Sequence, residues 1–380
     1  EDMVVQLKEA GGVFSVMGNY TDSYHSADAL NAQQIAFDES SNLTLRVPTG
    51  TSMGIDLFTS SFVGGTEYLF DDTDVNTIAP NTSEYTMLKY AGGKLMFGRD
   101  KDVATSTTDN VIYSALDITS SDNITFIDRA LTDSDSGDTI QSDRVISFDI
   151  DENGCALVVF SDNEGNLRIR GSYTNEYGDK YRFGGESALT GTDASGAAYT
   201  LAVEDFKDLV IYSSTLTTSE VSGKALLLDK TRNAVWTIDY RLSLVYPDTD
   251  YEVTATLTET NKTSVGNSPV AIALNTGKNR AYVLNETDDT VSVVELSSTS
   301  VTSSETLALS NTLSGKDIAL RPNSLTYYTN EDTGSEYILV GDTNLKGFLV
   351  VDETTPAATP TPLPVGHGGP RPPRPTGGTR

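Results

Sequence analysis

Residues Ser268 to Leu296 decide the fold. They read Ser268-Pro269-Val270-Ala271-Ile272-Ala273-Leu274, then Asn275-Thr276-Gly277-Lys278-Asn279-Arg280, then Ala281-Tyr282-Val283-Leu284-Asn285, then Glu286-Thr287-Asp288-Asp289, then Thr290-Val291-Ser292-Val293-Val294-Glu295-Leu296. Two clusters of Asn, Asp, Thr and Gly punctuate three apolar runs, which is strand, turn, strand, turn, strand. Val270, Ile272 and Leu274 alternate, as do Val291 and Val293, so each strand turns one side to a core.

Units of the same kind recur on both sides. Segment 143–170 holds Arg144 to Ile150, the turn Asp151-Glu152-Asn153-Gly154, the run Cys155 to Phe160, and Leu167 to Arg170. Segment 224–246 holds Ala225 to Leu228, Ala234 to Ile238, and Leu242 to Tyr246. Segment 314–352 holds Asp317 to Leu320, Leu325 to Asn330, Tyr337 to Val340 and Gly347 to Val351; segments 33–60 and 84–118 fit more loosely. Units begin near residues 33, 85, 145, 206–224, 270 and 316, a spacing of about 45–60 residues, the period of propeller blades. One small antiparallel sheet cannot bury its own faces, but sheets arranged radially bury one another. The expectation is an all-β chain folded as a β-propeller, with a decorated β-sandwich as the alternative. Helical turns are expected only at Glu1–Ala10 and Tyr24–Gln34.

The stretch 267–296, with Asn267-Ser268-Pro269-Val270-Ala271-Ile272-Ala273, Ala281-Tyr282-Val283-Leu284-Asn285 and Thr290-Val291-Ser292-Val293-Val294, resembles a YVTN-type repeat of surface-layer-like propeller proteins. The resemblance is good over these thirty residues and partial over 314–352. It implies a propeller of seven blades, secretion, and roles ranging from surface display and binding to lactone hydrolysis. It speaks to architecture more than to activity.

Composition narrows the function. The 380 residues carry 54 acidic and 26 basic side chains, a formal net charge of -28. Such a surface repels phosphate backbones and anionic lipid, which argues against nucleic-acid binding. A single cysteine, Cys155, excludes a disulfide framework, and its apolar run makes it a core residue. No apolar run reaches the length of a membrane-spanning helix. The chain opens on Glu1, as a mature secreted form would. These features point to an extracellular or cell-surface location.

After Glu353 the composition changes, dividing the chain into a body, 1–353, and a Pro/Gly/Thr-rich tail, 354–380. Eight of the thirteen prolines lie in the tail. It has no acidic residue but carries Arg371, Arg374 and Arg380, so it bears +3 against -31 for the body. A linker or stalk is the plain reading. Such a segment cannot bury enough surface to order itself, but a cationic polyproline strand can be held by an acidic neighbour. Extended at about 3.1 Å per residue it reaches roughly 80 Å. Pro370, Arg371, Pro372, Pro373, Arg374, Pro375 and Arg380 are therefore the candidate assembly residues, binding other copies of the chain in a filament or surface layer.

Chemical motifs are few. Gly50-Thr51-Ser52-Met53-Gly54 matches GxSxG, but a strand-like run, Ile55 to Thr59, follows where a nucleophile elbow needs a helix, and the only histidines are His25 and His367. Asp149, Asp151 and Asn153, with Gly154, match the first half of a calcium loop, yet Phe160 stands where the closing carboxylate belongs, and an Asn-Gly hairpin accounts for the same residues. The expectation is therefore no cofactor, with calcium at Asp149, Asp151 and Asn153 as the one alternative. Glycosylation sequons occur at Asn19, Asn42, Asn81, Asn123, Asn261 and Asn285, and segment 354–362 suits O-glycans. Trp236 reads as core. The expected function is non-enzymatic: a self-assembling surface or filament subunit. The alternatives are a propeller adhesin holding glycan or protein, and a lactonase-like hydrolase.

Overall fold

The computed structural model describes strands between Val4 and Pro364, with side-chain surroundings for Phe14, Lys89 and most of residues 146–353; the tail beyond 364 and many early loops lie outside the described residues. These residues form thirty-one β-strands, with no α-helix among them. β1 (Val4–Ala10) and β2 (Val13–Tyr20) form a hairpin. β3 (Gln34–Phe37), β4 (Leu43–Thr49), β5 (Ser52–Phe58) and β6 (Tyr68–Phe70) form a four-stranded sheet, paired in chain order. β7 (Met87–Ala91), β8 (Lys94–Gly98), β9 (Ile112–Ala115) and β10 (Phe126–Asp128) form the next. β11 (Arg144–Ile150), β12 (Cys155–Ser161), β13 (Leu167–Tyr173) and β14 (Ser187–Ala188) follow, then a small hairpin of β15 (Gly191–Thr192) and β16 (Ala198–Tyr199). β17 (Phe206–Leu216), β18 (Glu220–Asp229), β19 (Ala234–Leu244) and β20 (Tyr251–Thr256) make a sheet that β21 (Lys262–Ser264) extends by pairing with β19. β22 (Pro269–Asn275), β23 (Arg280–Asn285), β24 (Thr290–Leu296) and β25 (Val301–Ala308) follow. After the hairpin of β26 (Thr312–Leu313) and β27 (Lys316–Asp317), β28 (Pro322–Asn330), β29 (Ser335–Asp342), β30 (Gly347–Asp352) and β31 (Thr361–Pro364) make the last sheet.

The first strand of each sheet lies beside the first strand of the next, β3 by β7, β7 by β11, β11 by β17, β17 by β22 and β22 by β28. Sheets that meet at their first strands and splay outward in chain order are propeller-like. Packing explains why second strands carry runs of consecutive apolar residues, such as Ala225–Leu228 on β18 and Ala281–Leu284 on β23. On β18, Ala225 and Leu227 face the β11–β14 sheet, where they join Leu157, Val159 and Ile169. Leu226 and Leu228 face the other way and join Ile272, Val283 and Val294. On β23, Ala281 and Val283 share that second core, while Tyr282 and Leu284 pack with Ile338, Val340 and Leu349 of the last sheet. Both faces of the β17–β21 and β22–β25 sheets are thus buried, at about 1.5–3 kcal/mol per large side chain. The strand order is brought end to end by Phe14 of β2, which packs edge-on to Tyr337 at 5.0 Å and Phe348 at 6.3 Å on the last sheet.

A polar residue closes the second strand of each of the last three sheets: Asp229, Asn285 and Asp342, all buried. In each case the next N–H bonds a carbonyl just before the sheet's first strand: Lys230 to Asp205, Glu286 to Ser268, Thr343 to Arg321. Asn233 and Asp289, four residues past Asp229 and Asn285, take positive φ of 50° and 51°. Asn and Asp tolerate that left-handed turn position better than other side chains.

Three expectations are corrected. Val4–Ala10 is a strand, not a helical turn, because it pairs antiparallel with Val13–Tyr20 along its whole length. The last unit begins at Pro322, since Asp317 belongs to the short preceding hairpin. Leu242 does not open a separate strand but continues β19, which pairs with β18 along one edge and with β20 and β21 along the other. The other expected helical turn, 24–34, lies outside the described residues except for Gln34, which opens β3.

β31 lies within the tail, so the last sheet continues beyond residue 353. It forms the outer edge of that sheet, with Pro362 and Pro364 opposite Leu349 and Gly347. Proline has no N–H, so only Thr361 and Leu363 of β31 can donate a backbone hydrogen bond.

Candidate functional site

Charged residues on three neighbouring first strands meet at one point. Lys89 comes from β7, Ser147 and Asp149 from β11, and Asp208 from β17. The Lys89 Nζ is 3.5 Å from Asp149 Oδ1 and 3.9 Å from Asp208 Oδ1. Asp149 Oδ2 accepts the N–H of Ile211 at 2.7 Å. The Ser147 hydroxyl donates to Asp208 at 3.3 Å and accepts the N–H of Leu209 at 3.1 Å. Leu209 N–H also donates to Asp208 Oδ1 at 2.9 Å. The Asp149 side chain is 14% exposed and that of Lys89 33%. Burial pushes the Asp149 carboxyl above the usual carboxylate range, against the pull of Lys89 and the Ile211 N–H. Burial works against the Lys89 ammonium, but Asp149 and Asp208 more than offset it and raise its pKa. The cluster joins three sheets and sets an amine, a buried carboxyl and a hydroxyl side by side.

Two further networks tie sheets or turns together. Asp229 is fully buried and accepts the Trp236 indole N–H at 2.9 Å and the Arg232 backbone N–H at 2.8 Å. Arg232 Nη1 then bridges Asp229 at 3.2 Å and Asp205 at 2.8 Å. The Lys262 ammonium lies 5.6 Å from the Trp236 ring centroid, a cation–π contact. Glu353, at the end of the last sheet, accepts Arg280 of β23 at 2.8 Å, and Arg280 also reaches Glu295 at 2.8 Å. Burial raises the pKa of the Tyr282 phenol beside this pair, and the nearby Glu353 carboxylate raises it further.

The calcium-loop residues are drawn into other contacts. Asp149 faces Lys89, while Asp151 Oδ1 accepts the N–H of Cys155 at 2.8 Å in the β11–β12 hairpin; Asn153 lies outside the described residues. Among the described residues no group of three or more His, Cys, Asp or Glu could hold a metal. Ser52 opens β5, paired with Thr49 across a two-residue turn. Cys155 is fully buried, and burial raises its thiol pKa. Asn285 is fully buried and its amide nitrogen donates to Thr290 and Ser292 at 3.0 Å, so this sequon offers no acceptor in the folded chain. Asn261 is half-buried and donates weakly to Asp239 at 3.4 Å. Asn19 stands on β2 and its side chain is not described; Asn42, Asn81, Asn123, His25, His367 and the residues Pro370 to Arg380 lie outside the described residues. Among the described residues no helix is long and apolar enough to cross a membrane. Sequence reasoning missed Lys89, Ser147, Asp208, Arg232 and Glu353. A signal existed for two of them: Lys89 and Asp208 interrupt apolar strand runs, where charge is rarely buried without a partner.

No protein-family model matches the chain. No curated protein matches it in sequence. Solved structures do match in shape. One is a protein of unknown function from Desulfotomaculum acetoxidans, at 12% identity over 92% of this chain and 89% of that one, with a TM-score of 0.51. Another is a provisionally assigned 6-phosphogluconolactonase from Bacteroides fragilis, at 12% identity over 93% and 86%, with a TM-score of 0.50. A periplasmic gluconolactonase from Pseudomonas aeruginosa shows 14% identity over 87% and 84%, with a TM-score of 0.49. The first two support the propeller-like all-β fold over nearly the whole chain.

Proposed function

We propose that this chain is an extracellular structural subunit: a propeller-like body whose copies are joined by the cationic tail of one lying on the acidic body of the next. The observation that carries this reading is where the tail departs. β31 is the outermost strand of its sheet, so residues 365–380 start from the rim, where a neighbouring copy would stand. Those sixteen residues hold Arg371, Arg374 and Arg380 and no acid, opposite a body of net -31, and can span about 50 Å as a polyproline strand. The prolines of β31 leave its edge poor in donors, which favours linkage through the tail over sheet-to-sheet pairing. In this reading β1–β2, held by Phe14, is the seventh unit of the ring, and the YVTN-type resemblance of 267–296 fits secretion.

The test compares the full chain with a 1–364 truncation, which keeps β31. Light scattering and negative-stain microscopy at low salt should show polymers or defined oligomers for the full chain only, dispersing as salt rises. Equal assembly of both forms, or of neither, contradicts the reading.

A second reading is a lactonase-like hydrolase. It is favoured by Asp149, whose raised pKa beside Lys89 and Ser147 suits acid–base work, in a fold shared with the Bacteroides fragilis protein. Hydrolysis of gluconolactone or its 6-phosphate that Asp149→Asn abolishes would establish it. No hydrolysis above the buffer rate would remove it.

A further inference from the structure

We infer that Lys89 and Asp149 condense into an isopeptide bond that staples the β7–β10 sheet to the β11–β14 sheet. Four features of the cluster carry this. The amine nitrogen stands 3.5 Å from Asp149 Oδ1, in ion-pair contact with the carboxyl whose carbon it would attack. The other carboxyl oxygen, Oδ2, accepts a backbone N–H from Ile211 at 2.7 Å, a donor already aimed where negative charge would grow on a tetrahedral intermediate. A second carboxylate, Asp208, lies 3.9 Å from the same nitrogen and can receive its proton. Asp208 is held in place by Leu209 N–H and the Ser147 hydroxyl rather than by solvent alone.

The step balances without a co-reactant. The Lys89 ammonium gives one proton to Asp208, and the neutral amine attacks Cγ of Asp149. A C–N bond forms, the Cγ–Oδ1 bond breaks, and the departing oxygen leaves as water, taking up the proton that Asp208 held and a second from the attacking nitrogen. An ammonium and a carboxylate thus become one amide and one water. The two carboxylates that raise the Lys89 pKa keep the amine protonated most of the time, so the reaction is slow and depends on Asp208. The staple would close a loop of sixty residues between adjacent sheets, in a chain whose one cysteine, Cys155, can form no disulfide within itself. It would do so independently of the tail, and an Asp149 held as an amide leaves no carboxyl for the hydrolase reading.

Intact-mass measurement of the full chain after folding and denaturation decides the matter. The expected mass is below the sequence value by one water, about 18 Da. Proteolysis should release a branched peptide containing both Lys89 and Asp149. Lys89→Arg keeps the charge but should restore the full sequence mass, and Asp208→Asn should give a mixture that matures slowly. A wild-type mass equal to the sequence value overturns the inference. So does a water loss that persists in Lys89→Arg, or a branched peptide that maps elsewhere.

Discussion

Replacing Asp229 with alanine removes the acceptor for three donors at once. Trp236 Nε1–H is 2.9 Å away, Arg232 N–H 2.8 Å, and Arg232 Nη1 3.2 Å. The buried indole N–H loses its Asp229 acceptor, at about 1–3 kcal/mol. Arg232 keeps Asp205 at 2.8 Å and is 29% exposed, so its loss is partly screened and adds about 1–2 kcal/mol. The sum is about 2–5 kcal/mol, overlapping the range for breaking a buried pair. Unfolding entropy of about 2.1 cal/mol/K per residue gives, for 380 residues, roughly 0.8 kcal/mol per degree, so the melting temperature should fall by about 3–6 °C. Trp236 is the only tryptophan, so its fluorescence reads the transition and the local site together. Asp229→Asn retains one acceptor oxygen and should lose about half as much. An alanine variant within about 0.5 kcal/mol of the parent would refute the assignment of Asp229 as the keystone of this turn.

Phe14→Ala should cost about 3 kcal/mol, because the ring is buried against Tyr337, Val350 and Phe348 and leaves a cavity where the first hairpin meets the last sheet; calorimetry showing no loss would mean the hairpin does not clasp that sheet. Burial raises the phenol pKa of Tyr212, Tyr240 and Tyr282. The stability they contribute is fully present below their unfolded value of about 10 and is lost as pH rises through the folded values, so these three should ionise only as the chain unfolds. Ultraviolet titration of all eighteen tyrosines in a single early step, with the fold intact, would contradict this.

Much of the fold was legible because its signal is local. The sheets begin at Gln34, Met87, Arg144, Phe206, Pro269 and Pro322, close to the unit starts read from turn clusters and apolar runs. Fourth strands were harder to see. β25, Val301–Ala308, has five consecutive exposed residues, Thr302 to Thr306, and so no alternation to betray it. β31 is half proline and reads as linker; only its pairing with β30 makes it a strand. The Lys89, Asp149 and Asp208 cluster was invisible for a different reason. Its members come from three sheets and are 119 positions apart at the extremes, so only the stacking of first strands brings them together. Asp149 and Asp151, by contrast, sit two apart in sequence yet face different partners, a lysine on the neighbouring sheet and the N–H of Cys155.

The most direct test of the central claim uses a labelled peptide of residues 365–380 added to the 1–364 body, followed by fluorescence anisotropy. The account predicts saturable binding at low salt that weakens steeply as salt rises and disappears when Arg371, Arg374 and Arg380 are changed to glutamate. Anisotropy that stays at the free-peptide value throughout would show that the tail does not bind the body, and the assembly account would fall.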